Sequence, residues 1–243
     1  MKYIETDKRF YKKLVKIALP IAMQSVITTG VNLVDTIMLG TLGETALSAS
    51  SLATQFITLF TFLCMGISMG ASVLTSRYWG AQNKDSLRKT ITVALRFTVV
   101  LALVFTAVNI CVPRQIMELY TNESPVIEGG TVYLQWSTIT YILMALSTVT
   151  TNILRSADLA MIPLAASTTS FLVNIGANYI FIFGKLGAPA MGIAGAALGT
   201  VIARVVEVLI ICGYFFIVDK RIGYRVRDIF GKCGDLAAEF LRV

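Results

Sequence analysis

The sequence predicts an all-α integral membrane protein of about six transmembrane helices, and three observations carry that prediction. Of 243 residues, 56% are hydrophobic and 14% charged, with a mean hydropathy of +0.73, well beyond the balance of a water-soluble domain. Apolar runs recur that are long enough to cross a bilayer, whose hydrocarbon core of about 30 Å needs roughly 20 helical residues. Within those runs Leu, Ile, Val and Ala follow one another without the in-and-out alternation of a membrane β-barrel strand.

Span one is expected over residues 14–38. A basic lead before an apolar run is also how a signal peptide begins. This run exceeds the usual length of about 7–15 residues and carries Gln24, Asn32 and Asp35, so it reads as an uncleaved span. Pro20 cannot donate to the carbonyl of Lys16, which predicts a bend there. At about 100° per residue, Gln24, Thr28, Asn32 and Asp35 fall on one polar stripe suited to a cavity wall. A carboxylate at membrane depth costs about 2.5–3.5 kcal/mol on insertion scales. Asp35 therefore either has partners inside the bundle or sits wet at the outer end of its helix.

Span two is expected over 46–76 and contains GISMG, a match to the G-x-S-x-G serine-nucleophile pattern. Such a serine needs a base, usually histidine, and the chain has none. Close helix packing at Gly66 and Gly70 is the favoured reading. Span three follows at 90–112 and span four at 132–154, with Arg155 and Asp158 in a short turn expected to anchor its end. Span five, 161–183, carries Asn174 and Asn178 four residues apart, so both amides share a face. In span six, 191–218, Gly192, Gly195 and Gly199 have the spacing of a tight helix contact, and Arg204 and Glu207 are placed to neutralise each other.

Counting about 1.5 Å per residue brings Asp35, Asn174, Asn178 and Thr200 to one slab of the membrane. A carboxylate, two amides and a hydroxyl suit a proton or a sodium ion, which prefer oxygen. The asparagines alone equally suit hydrogen bonds between helices.

The net charge of +7 follows the membrane. Lys2, Lys8, Arg9, Lys12, Lys13 and Lys16 precede span one; Arg77, Lys84, Arg88 and Lys89 separate spans two and three; Lys220, Arg221, Arg225, Arg227 and Lys232 follow span six. The opposite loops hold Arg114 and Lys185 among Glu44, Glu118, Glu123 and Glu128. The positive-inside rule then puts both termini in the cytoplasm, in a multi-pass protein of the cytoplasmic (plasma) membrane. No soluble face gathers these charges, which argues against nucleic acid. Cys64, Cys111, Cys212 and Cys233 lack paired spacing, and neither an H-E-x-x-H site nor a phosphate-binding loop is present. The residues predict no enzyme, no cofactor and no metal beyond a possible sodium ion.

The segments KKLVKIALPIAMQSV, VDTIMLG, RYWGAQNKDSLRKT, ILRSADLAMIP and NYIFIFGKLGAPAMGIAGAALGTVIAR, in this order and spacing, resemble the multidrug and toxic compound extrusion transporters over essentially the whole chain. The match is to their first six-helix lobe, here 1–219, with 220–243 as a cytoplasmic inter-lobe linker and the start of a truncated second repeat, GDLAAEFLRV echoing YKKLVKIALP. The resemblance implies an antiporter that exchanges H+ or Na+ for drugs or organic cations between two rocking lobes. It implies a coupling site at Asp35, Asn174, Asn178 and Thr200, with Asn178 standing where some relatives carry an aspartate. The second lobe would be a missing half or a second copy of the chain. Two alternatives stay open: a lipid-linked oligosaccharide flippase of related architecture, for whose pyrophosphate the spans offer only Arg204 and Arg96, and a membrane scaffold that does not transport.

Overall fold

Once no water competes for them, backbone N–H and C=O groups must be satisfied within each segment, and the chain answers with helices. A computed structural model describes residues 8–230, and the described residues form eight α-helices and no strand. They are α1 (Lys8–Gly40), α2 (Glu44–Gly80), α3 (Lys84–Cys111), α4 (Pro113–Glu118), α5 (Ser124–Trp136), α6 (Thr140–Ser156), α7 (Met161–Phe183) and α8 (Ile193–Gly213). A π-helical turn, Tyr214–Val218, extends α8, and a short 3-10 helix, Val226–Phe230, closes the described chain. The repeat-like segment GDLAAEFLRV lies outside the described residues.

Five helices are long and apolar enough to cross a membrane, and a sixth crossing arises if α5 and α6 count as one span. The fifth expected span matches α7 residue for residue. The second and third run longer than expected, because the polar ends of α2 and α3 continue the helix beyond the apolar run. Asn83 caps α3, its side chain accepting from the Ser86 N–H at 3.1 Å. α1 continues as one helix through Pro20.

The fourth expected span, 132–154, is instead broken. α5 and α6 meet at a 59° bend over residues 137–139. The break is stable because its freed groups find partners. Asn109 of α3 donates to the Leu134 carbonyl at 2.7 Å and to the Thr138 hydroxyl at 2.9 Å, while Thr138 returns to the Gln135 carbonyl at 2.8 Å. Hydropathy reads through such a bend, since the residues on both sides are equally apolar. The short α4, not foreseen, folds back on α5, where Gly130 leaves room for the Met117 side chain.

The helices close around three apolar clusters. At the end that holds both described chain termini, Leu74, Ile91, Ile153, Ile211 and Phe215 are buried together. Ala53, Met117, Leu134, Ile182 and Ala197 form the opposite cluster. Between them Phe60 and Phe105 surround Tyr141, whose ring meets Phe60 edge-on at 5.1 Å. Gly195 and Gly199 let α8 lie directly on α7: a Cβ would collide with the Phe181 carbonyl at the first and with the Asn178 amide at the second. Gly192 has a different task, taking φ +54° where the chain turns into α8. The packing expected at Gly66 and Gly70 is not found, as nothing among the described residues approaches either. Helical geometry turns the glycines outward from Ser68, which is fully buried.

The linker from 220 is folded as far as Phe230. The Asp219 carboxylate accepts the N–H groups of Ile222 and Gly223 at 2.9 and 3.2 Å, Tyr224 meets the Thr92 hydroxyl at 2.8 Å, and Arg96 donates to the Ile229 carbonyl at 2.6 Å. Arg96 thus holds the linker against α3 rather than facing a cavity.

Asn109→Leu should leave the Leu134 carbonyl unpaired at the bend and destabilise the protein by about 1–3 kcal/mol. A lower thermal unfolding midpoint of the detergent-purified variant would show it, and an unchanged midpoint would contradict the account of the break.

Candidate functional site

Two polar systems meet α1 at different depths. The upper one begins at Asp35, on the α1 face turned towards α7. Asn178 donates from Nδ2 to the Asp35 carboxylate at 2.5 Å and lies 3.4 Å from Asn174 Oδ1. Both asparagines are buried, Asn178 completely. They stack because residues four apart on α7 superpose, and Gly199 gives Asn178 its room on the α8 side. Thr200, one residue beyond that glycine, lies on the wall of the same cavity as Asp35.

That cavity, of about 510 Å³, opens between α1, α2, α5, α6 and α8. Asp35, Asn32 and Thr28 line it from α1, Ser50, Thr54 and Thr58 from α2, and Tyr133 from α5. Tyr133 is almost fully buried, and its phenol interacts with Thr54 and Thr200. A second, water-sized cavity of about 50 Å³ adjoins, lined by Asn32, Ser170, Asn174, Thr200, Arg204 and Glu207. The expected coupling residues Asp35, Asn174, Asn178 and Thr200 are therefore neighbours. Of the expected polar stripe, Thr28 and Asn32 face the cavity.

Gln24 does not. It is buried between α1, α6 and α7, donating from Nε2 to Ser167 Oγ at 2.7 Å and accepting from Arg155 Nη2 at 2.5 Å. The wheel places it correctly in angle, but further along α1 another pair of helices covers that angle. Arg155 was expected in a turn beyond the fourth span; it belongs to the last turn of α6 and points inward to Gln24. From Ser167 the chain of contacts continues to Glu207 Oε1 at 3.4 Å, and Glu207 Oε2 pairs with Arg204 at 2.7 Å. The lower system thus joins α6, α1, α7 and α8 in one series.

Sequence reading missed Ser167 and the α2 hydroxyls. Ser167 carries no pattern of its own, whereas Ser50, Thr54, Thr58 and Thr61 recur every three or four residues and that spacing was legible. Among the described residues no cluster of three potential His, Cys, Asp or Glu ligands exists to hold a metal.

The MatE family model matches residues 20–180. The chain is 28% identical over 224 residues to a probable multidrug resistance protein NorM of Thermotoga maritima, covering 89% of this chain and 46% of that protein. It is 30% identical over 199 residues to a probable multidrug resistance protein NorM of Neisseria meningitidis serogroup B, covering 77% of this chain and 41% of that protein. A crystal structure of MATE in complex with MaL6 shares the fold, with a TM-score of 0.86 at 24% identity over 96% of this chain and 51% of that one. The chain spans about half the length of the curated relatives it matches.

A charge-assisted hydrogen bond joins Gln24 to Arg155. A double-mutant cycle of Gln24→Ala and Arg155→Ala should give a coupling energy of about 1–3 kcal/mol in unfolding experiments. Strict additivity would mean that the two side chains do not act together.

Proposed function

The chain belongs to the MatE family, and from that premise we propose that it forms one six-helix lobe of a secondary transporter that exports small organic cations or drugs in exchange for protons or sodium. The observation that carries the proposal is the position of Asp35, a carboxylate on the wall of a membrane-depth cavity, tied by one hydrogen bond to a helix other than its own. A charge kept at such cost is a functional group by default.

The coupling follows from the geometry. While ionised, Asp35 attracts the Asn178 amide and holds α1 to α7. A proton or sodium ion arriving at Asp35 neutralises that attraction and competes for the oxygen that Asn178 uses. Asn174 and Thr200 supply neutral oxygens beside it, and the adjoining small cavity gives water a place next to both. Loss of the Asp35 contact changes the balance between two packings of α1, and an ion that prefers one of them drives the exchange. Drug release accompanies the change because the same helix walls the large cavity.

Asn178 gives the site one carboxylate where a second would raise its charge. That favours a singly charged coupling ion. The flippase alternative loses support from the cavity itself: Arg204 is its sole cationic lining residue among the described residues, and Glu207 neutralises it. Following the charge asymmetry, the lobe sits in the cytoplasmic membrane with residues 8 and 230 on the cytoplasmic side. A transport path between two lobes requires a partner half, either contiguous in the native protein or supplied by a second copy.

Asp35→Asn in the native protein should abolish ion-driven efflux, seen as drug accumulation equal to that of non-expressing cells, while the amount of protein in the membrane stays normal. Full efflux by this variant would end the proposal, and a scaffold would show no ion-dependent phenotype at all. The intact mass of the protein extracted from its own membranes decides how the second lobe is supplied. A mass near twice 26.4 kDa is expected for a contiguous partner, and 26.4 kDa for a chain that must pair with a copy of itself.

A further inference from the structure

The large cavity is lined by hydroxyls, and the fate of their hydrogens determines what they offer a ligand. On α2, Ser50 donates to the Leu47 carbonyl at 3.0 Å, Thr54 to Ser50 at 2.8 Å, Thr58 to Thr54 at 2.8 Å and Thr61 to Ile57 at 2.9 Å. Thr28 on α1 and Thr200 on α8 likewise donate to the carbonyls of Gln24 and Ala196, at 3.0 and 3.1 Å. A hydroxyl has one hydrogen and two lone pairs. With the hydrogen committed to its own helix, each of these groups turns lone pairs rather than a hydrogen towards the cavity, and the Tyr133 phenol already reaches those of Thr54 and Thr200, leaving the second lone pair of each.

Thr140 supplies an independent observation. It lines the same cavity, is 2% exposed, and its hydroxyl has no hydrogen-bond partner among the described residues. A buried polar atom left open on a cavity wall is provided for when a ligand reaches it. Among the donors in the same lining, Arg204 has its charge engaged by Glu207 and Tyr133 is turned to Thr54 and Thr200.

We propose that the acceptor ladder of Ser50, Thr54, Thr58 and Thr61, facing Asp35 across the cavity, selects cations that carry N–H groups, such as primary and secondary ammonium, amidinium and guanidinium ions, over quaternary ions of equal charge and size. Charge alone cannot make this distinction, since Asp35 attracts both kinds. The ladder can, because every N–H brought out of water needs an acceptor and a quaternary nitrogen needs none. From Ser50 to Thr61 the helix rises about 16 Å, so acceptors are met at several depths along the path. The inference rests on the proposed role of this cavity in cation export and adds the chemistry by which it discriminates.

The test uses naphthylmethylammonium and its N,N,N-trimethyl analogue as competing probes for the purified protein in lipid nanodiscs. The primary ammonium should bind about tenfold more tightly. The Thr54→Val, Thr58→Val double variant keeps side-chain shape but removes two acceptors, and it should bring the ratio to about one. Thr54→Ser with Thr58→Ser should restore the preference. Equal affinity of the two probes for the unmodified protein, or an undiminished ratio in the valine variant, overturns the ladder. If both probes bind equally and Asp35→Asn removes both, cation recognition stands and the ladder alone falls. If neither probe binds, the ladder falls together with the cation-export reading beneath it.

Discussion

α1 lies along α7 and is tied to the lobe by two polar contacts, on which the arrangement around the cavity depends. Just 11% of its membrane-crossing window is buried. In hydrocarbon an exposed leucine loses nothing by facing lipid, so the apolar contacts of α1, Gly30 beside Phe171 and Leu39 in the cluster with Ile182, are confined to one face. What fixes it is Gln24 between Arg155 and Ser167 near one end, and Asp35 against Asn178 near the other. Hydrogen bonds of this kind between membrane helices are worth about 1–2 kcal/mol in peptides and less in a folded protein.

The other helices are bound differently. α8 rests on α7 through Gly195 and Gly199, backbone against backbone, and the aromatic cluster of Phe60, Phe105 and Tyr141 ties α2, α3 and α6. Those contacts include no carboxylate and no cation. They make a frame beside α1, and the one carboxylate among the described residues of that helix meets it at Asn178.

Each charge inside the spans is handled by a local device. Glu207 neutralises Arg204 one helical turn away, Arg155 takes an amide oxygen from Gln24, and Arg96 is drawn out to a backbone carbonyl of the linker. Asp35 among them has an amide rather than a cation as its hydrogen-bond partner. The nearest cation acting on it, Arg204, shares the cavity lining but gives its own hydrogen bond to Glu207. The hydroxyls opposite Asp35, their hydrogens already spent, form a wall that accepts hydrogen bonds and adds no positive charge.

Composition, hydropathy and charge distribution were enough to determine a helical membrane lobe, its basic end and the common depth of Asp35, Asn174, Asn178 and Thr200, because the bilayer imposes length and helical rise imposes depth. Helical angle likewise aligned Thr28 and Asn32 with Asp35. Sequence had no means of showing which neighbour covers a given angle at a given height. Gln24 shares the stripe yet is enclosed by α6 and α7, and Ser167 matters solely because it stands between Gln24 and Glu207. The same limit hid the bend between α5 and α6, whose stability comes from Asn109 on a helix 25 residues earlier. It also misassigned Gly66 and Gly70, whose spacing invites a partner that the described fold does not bring. Periodicity reports one helix at a time, while contacts between helices depend on their relative placement, and tertiary packing alone decided those.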